Sequence, residues 1–80
     1  EVINYEPKLA LDGGLEGLSV IRNVIKKSSE LIKKNGKLIL EIGYDQRLPV
    51  KKMLNENNFY INKIVKDLAK NDRCIVSTKK

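Results

Sequence analysis

Few side chains in this 80-residue sequence could carry chemistry, and their spacing narrows what that chemistry can be. One Cys and no His are present, so no intramolecular disulfide, ordinary zinc site or His-activated nucleophile can form within it. Cys74, between Arg73 and Ile75, reads as a packed thiol. The carboxylates that stand out are Glu6, directly before Pro7, and Glu41, which closes an apolar run and precedes Gly43. Gln46 follows a few residues later. Asp67 and Arg73 are spaced to pair across a turn, but an exposed pair contributes only about 0–1 kcal/mol and is no sign of catalysis. Gly13-Gly14 follows no strand and lacks a third glycine, so it reads as a turn and not as a phosphate cradle.

The elements that must position these groups follow from hydrophobic period. Residues 1–17 show no clear periodicity and read as an ordered loop. Within it Pro7 biases Glu6 toward an extended backbone, and Leu9 and Leu11 could anchor it to a core. From Leu18 to Lys34 the residues Leu18, Ile21, Val24, Ile25, Leu31 and Ile32 recur at helical spacing with charged residues between them. Ser28 interrupts that stripe. Asn35-Gly36 closes the helix, with Gly36 expected in the left-handed conformation and Lys33 and Lys34 in the last turn. Lys37 to Ile42 reads as a strand whose continuous run Leu38-Ile39-Leu40 suits burial on both faces, as in a parallel α/β sheet. Glu41 and Gly43 then fall at the strand's carboxyl end, the edge where such sheets bind ligands. Asp45 is placed to cap a second helix over 46–57, with Pro49 in its first turn and Val50, Met53 and Leu54 inward. Phe59 to Asp67 and Arg73 to Thr78 form an antiparallel hairpin across a turn at 68–72. The shift in parity between Ile61 and Ile64 predicts a bulge or two-sided burial.

The formal charge of +6 comes from lysines scattered along the chain, and aromatic residues make up only 5%. That combination reads as a solvated surface, because single-strand nucleic-acid platforms stack bases on exposed rings. No apolar run is long enough to span a membrane, and the start does not read as a secretion signal. The whole pattern is one small partial α/β layer over residues 1–80.

Three stretches carry a family likeness. They are Tyr5-Glu6-Pro7-Lys8-Leu9-Ala10-Leu11-Asp12-Gly13-Gly14, Leu38-Ile39-Leu40-Glu41-Ile42-Gly43-Tyr44-Asp45-Gln46, and the pair Lys66-Asp67-Leu68 and Asp72-Arg73. In this order and spacing they resemble the C-terminal part of the release-factor glutamine methyltransferases, the HemK/PrmC family. The resemblance implies the C-terminal part of a Rossmann-like methyltransferase sheet, arranged loop, helix, strand, helix, β-hairpin, with the hairpin as its reversed edge. It implies transfer of a methyl group from S-adenosylmethionine to the glutamine of the Gly-Gly-Gln loop in peptide chain release factors, in the cytoplasm.

The family's catalytic Asn-Pro-Pro-Tyr loop and its Gly-rich cofactor turn do not occur in these residues, so no catalytic, cofactor-binding or metal residue is assigned. The 80 residues alone are expected neither to react nor to bind S-adenosylmethionine. Tyr5, Glu6 and Pro7 match the family's Glu-Pro element and are candidates for bordering the substrate cleft; a loop cap or salt bridge explains Glu6 equally well. Gln46 matches the family's Gln after Leu-Glu-x-Gly, and a helix-start role suits it as well. A same-fold nucleic-acid amino-group methyltransferase and a small basic RNA- or protein-binding module are the alternatives. The strand at 37–42 is expected to lack a parallel partner within the chain, which predicts an exposed edge and either self-association or only marginal stability as a monomer.

Overall fold

The computed structural model describes residues 2–5 and 15–80. Strand β1 (Val2–Tyr5) leads to helix α1 (Leu15–Leu31), then strand β2 (Lys37–Glu41) and helix α2 (Arg47–Glu56). Strands β3 (Phe59–Lys66) and β4 (Asp72–Lys79) close the chain. The four strands form one sheet in the order β1-β2-β4-β3. β1 runs parallel to β2, with Ile3 level with Leu38 and Tyr5 with Leu40. β4 is antiparallel to both of its neighbours.

β1 corrects the sequence reading twice. Part of the expected loop is a strand, and the parallel partner expected to be missing beside β2 is supplied by the chain itself. Four residues are too few for an alternating pattern to be recognised, and the strand takes its identity from the backbone hydrogen bonds of β2. The unpaired β2 edge from which self-association was expected is therefore absent.

Both helices pack on one face of the sheet. Ile21 and Ile25 of α1 and Val50 and Leu54 of α2 are fully buried with Leu38, Leu40 and Ile75 in one core. Burial of side chains of this size contributes about 1.5–3 kcal/mol each, which is what holds so small a layer together. Along β2 the burial alternates: Leu38 and Leu40 are enclosed, while Ile39 and Glu41 on the opposite face are half-buried. Among the described residues no helix covers that second face, so the two-sided burial expected of Leu38-Ile39-Leu40 is realised on one side only.

Helix ends differ from the sequence reading in instructive ways. α1 ends at Leu31, so Lys33 and Lys34 lie past its last turn. Asn35, directly before Gly36, takes the left-handed conformation with φ 73°; Asn tolerates that region better than most side chains. Its amide donates to the Lys79 carbonyl at 2.9 Å, and the Lys79 amide returns a bond to Gly36 at 2.8 Å. α2 begins at Arg47 with Gln46, not Asp45, at the cap, and no side chain caps it through a hydrogen bond. Pro49 is the third helical residue, where no internal N–H bond is required.

The hairpin carries the predicted bulge. Pairing shifts between Ile61 and Lys63, and the displaced Asn62 accepts a hydrogen bond from the Thr78 hydroxyl at 2.6 Å. The turn holds Asp67, whose carboxylate accepts from the Asn71 amide at 2.9 Å. Asp67 does not pair with Arg73; Asp72 takes the ionic role instead.

Candidate functional site

The carboxyl end of β2 gathers most of the groups singled out in the sequence. β4 runs the other way, so its first residues stand beside the last residues of β2: Glu41 lies level with Cys74, and the Ile42 amide donates to the Arg73 carbonyl at 2.8 Å. Tyr5, the last residue of β1, stands level with Leu40 and so reaches the same edge. Glu6 and Pro7 lie outside the described residues, as do Leu9, Leu11 and Gly13-Gly14. Cys74 is half-buried on β4. Among the described residues the Glu41 carboxylate makes no hydrogen bond or ion pair.

The turn from β2 into α2 is built on a backbone–side-chain bond. The Gly43 amide donates to Oε1 of Gln46 at 2.7 Å, and the Gln46 amide donates to the Gly43 carbonyl at 3.0 Å. Gly43 is required by close approach, since a Cβ there would stand 3.3 Å from both Cδ and Oε1 of Gln46. Gln46 is 2% exposed, and its Nε2 is buried with no hydrogen-bond partner. The helix-start role foreseen for Gln46 is therefore correct, but the burial of its amide was not foreseeable. Gln is a polar residue that usually sits at a surface.

Asp72 is the ionic hub of this edge. Lys66 Nζ donates to one carboxylate oxygen at 2.8 Å, and Arg47 Nε lies 3.6 Å from the other. The hydrogen bond from Lys66 holds the Asp72 carboxyl below its ordinary value of 3.8; burial opposes this, and the charges of Lys66 and Arg47 add to it. Asp72 therefore ties the first residue of α2 to the turn end of the hairpin. Sequence reasoning instead paired Asp67 with Arg73 across the turn. Lys66 and Asp72 bracketing a short polar turn were the available signal.

Tyr44, Asp45, Arg47, Leu48 and Asp72 line an open depression of about 180 Å³. Tyr44 and Leu48 stand exposed at its rim. Ligand pockets for molecules of cofactor size run about 300–1,000 Å³, so this depression does not fit S-adenosylmethionine. Among the described residues there is also no group of three or more metal-ligating side chains and no helix long and apolar enough to cross a membrane.

The comparisons agree with one another. No protein-family model matches the chain. The release factor glutamine methyltransferase of Fusobacterium nucleatum subsp. nucleatum is 46% identical over 79 residues, covering 99% of this chain and 22% of that protein. That of Clostridium botulinum is 43% identical over 79 residues, covering 99% and 28%. A bifunctional methyltransferase of Rickettsia prowazekii is 39% identical over 75 residues, 94% of this chain and 14% of that protein. In structure, a crystal structure of the release factor-specific protein-(glutamine-N5) methyltransferase from Alicyclobacillus acidocaldarius superposes with a TM-score of 0.61 at 26% identity. The match covers 81% of this chain and 42% of that one. The chain spans about a quarter of the length of the release factor methyltransferases it matches. In sequence and in fold it is therefore similar, nearly end to end, to one portion of the release factor glutamine methyltransferases.

Proposed function

We propose that this chain forms part of an S-adenosylmethionine-dependent protein-glutamine N5-methyltransferase acting on the Gly-Gly-Gln loop of peptide chain release factors, in the cytoplasm. The observation that carries the reading is the 46% identity over 79 residues to a release factor glutamine methyltransferase. The fold supports it, with β2 followed by α2 and a reversed hairpin, as in a methyltransferase sheet.

In this reading the 80 residues are a wall of the catalytic cleft and perform no bond-making step. The methyl donor supplies an activated methyl group when bound, and we assign its site to the remaining length of the protein because the family's Gly-rich turn and Asn-Pro-Pro-Tyr loop do not occur in these residues. Methyl transfer to an amide nitrogen depends on holding the acceptor in line and on acceptors for the amide N–H groups, which is work of positioning and electrostatics. The contribution of this chain is a rigid carboxyl edge: the Gly43–Gln46 turn and the Arg47–Asp72–Lys66 cluster hold it in shape. In the longer protein Tyr5, Glu6 and Pro7 would border the substrate cleft and orient the acceptor chain, as the family's Glu-Pro element suggests.

The test is to incubate the longer protein that contains this chain with a purified release factor and S-adenosylmethionine, and to map the product by mass spectrometry. One added methyl group on the glutamine of the Gly-Gly-Gln loop is expected. Methylation of nucleic acid bases in place of that glutamine would overturn the reading. The 80 residues alone should show no saturable S-adenosylmethionine binding by calorimetric titration; micromolar binding at one site would place the cofactor here after all.

A further inference from the structure

Asn35-Gly36, where the chain leaves α1 and enters β2, combines a reactive residue pair with a set of backbone restraints. Asn35 is exposed and holds φ 73°. Its side chain makes no hydrogen bond among the described residues. Gly36 is buried. Three backbone bonds hold the pair. The Asn35 amide donates to the Lys79 carbonyl at 2.9 Å, the Lys79 amide to the Gly36 carbonyl at 2.8 Å, and the Gly36 amide to the Lys33 carbonyl at 2.9 Å. The far side of this clamp is anchored too. Lys79 lies level with the buried Phe59 on β3, and its ammonium stands 5.5 Å from the centre of that ring. The Lys80 amide donates to the Asn58 carbonyl at 2.9 Å.

Asparagine is a thermolabile residue, and a following glycine leaves its Cγ open to attack because no side chain hinders the next backbone nitrogen. The Gly36 nitrogen gives its proton to hydroxide and bonds to Cγ of Asn35; the Cγ–Nδ2 bond breaks and ammonia leaves. Water then opens the cyclic imide at either carbonyl, giving aspartate or isoaspartate. In this fold the side chain is open to water but the nucleophile is engaged. Its N–H is committed to Lys33, and the left-handed Asn35 is pinned to Lys79. We propose that Asn35 is a deamidation site gated by the end of β4: paired with Lys79 it is inert, and separation from Lys79 starts its conversion. Isoaspartate carries an extra carbon in the backbone, so the amide of residue 35 and the Gly36 carbonyl no longer match the two groups of Lys79. Conversion therefore latches the opened state. The site lies at the opposite end of β2 from the carboxyl edge, and its failure leaves the proposed reaction untouched.

The experiment ages the longer protein that contains this chain in mildly alkaline buffer and follows aspartate and isoaspartate at position 35 by peptide mapping. Native protein should convert at least about tenfold more slowly than the same protein unfolded in urea, since conversion requires the junction to open. Lys79→Pro removes the amide that bonds to Gly36. Loss of that one backbone hydrogen bond should speed conversion of the folded protein about fivefold. Leu40→Ala weakens the core without touching the junction, and its folded rate should stay within about twofold of the unmodified protein. Conversion of native protein at the urea rate, or none in urea, overturns the proposal. So does a Lys79→Pro rate equal to the unmodified one. A Leu40→Ala rate equal to that of Lys79→Pro would make global unfolding the route and overturn it as well. Melting gives a readout that does not depend on the Lys79→Pro variant folding. Isoaspartate-bearing protein should melt below Asn35→Asp, which has the same charge and an unaltered backbone; equal melting overturns the latch.

Discussion

Leu40→Ala and Ile39→Ala are neighbouring truncations on one strand that should differ sharply, because the sheet is covered on one face only. Leu40 is fully buried, level with the equally buried Ile75 on β4. Removing such a side chain from a core costs about 2–5 kcal/mol, transfer and cavity together. A chain of this length has a total stability of about 4–12 kcal/mol, so Leu40→Ala removes a large part of it. At about 4–8 °C per kcal/mol for a domain this small, the melting point should fall by about 8 °C or more. Ile39 is half-buried on the open face. It gives up roughly half as much apolar contact, about 1 kcal/mol. Thermal and urea melts of the 80-residue chain, followed by circular dichroism, measure both. If Ile39→Ala costs as much as Leu40→Ala in this chain, the second face is covered within it and the one-sided layer is wrong. In a protein of the relatives' length the two costs should converge, because sheets with parallel strands are normally buried on both faces.

Two further outcomes are expected. The Asp72 carboxyl is held below its ordinary value, so its contribution to stability is complete above 3.8 and is lost as pH falls through the lowered folded-state value. The melting difference between the unmodified chain and Asp72→Asn should therefore be largest near neutral pH and close as the pH falls through that lowered value; a difference that persists unchanged at low pH would show that Asp72 acts through packing and not through its charge. In the longer enzyme, Glu6→Ala should weaken release factor methylation while leaving melting point and cofactor affinity nearly unchanged, and Glu6→Gln separates charge from shape. A fall in melting point by many degrees, with activity falling only in proportion, would make Glu6 a structural residue.

Much of the architecture could be read from local pattern. The spacing of Ile21, Val24 and Ile25 marks α1, the run Leu38-Ile39-Leu40 marks β2, and the parity slip after Ile61 marks the bulge that the structure places at Asn62. Those features are written in periodicity, which is a property of neighbouring residues. The first strand was not readable, because Val2–Tyr5 is too short to show a period and exists through its pairing with residues 37–40.

By itself, then, the sequence determined the element types from α1 onward, the family likeness carried by Glu6-Pro7 and Leu40 to Gln46, and the absence of His chemistry. Tertiary structure alone decided which charges meet. Asp72 rather than Asp67 became the ionic hub, because the reversal of β4 sets it beside Lys66 and the start of α2. It decided that Asn35 takes the left-handed conformation where the chain bonds to Lys79. It also decided that Gln46 is enclosed. Burial and partnership depend on elements far apart in the chain arriving at one place, and no local spacing of residue types records that arrival.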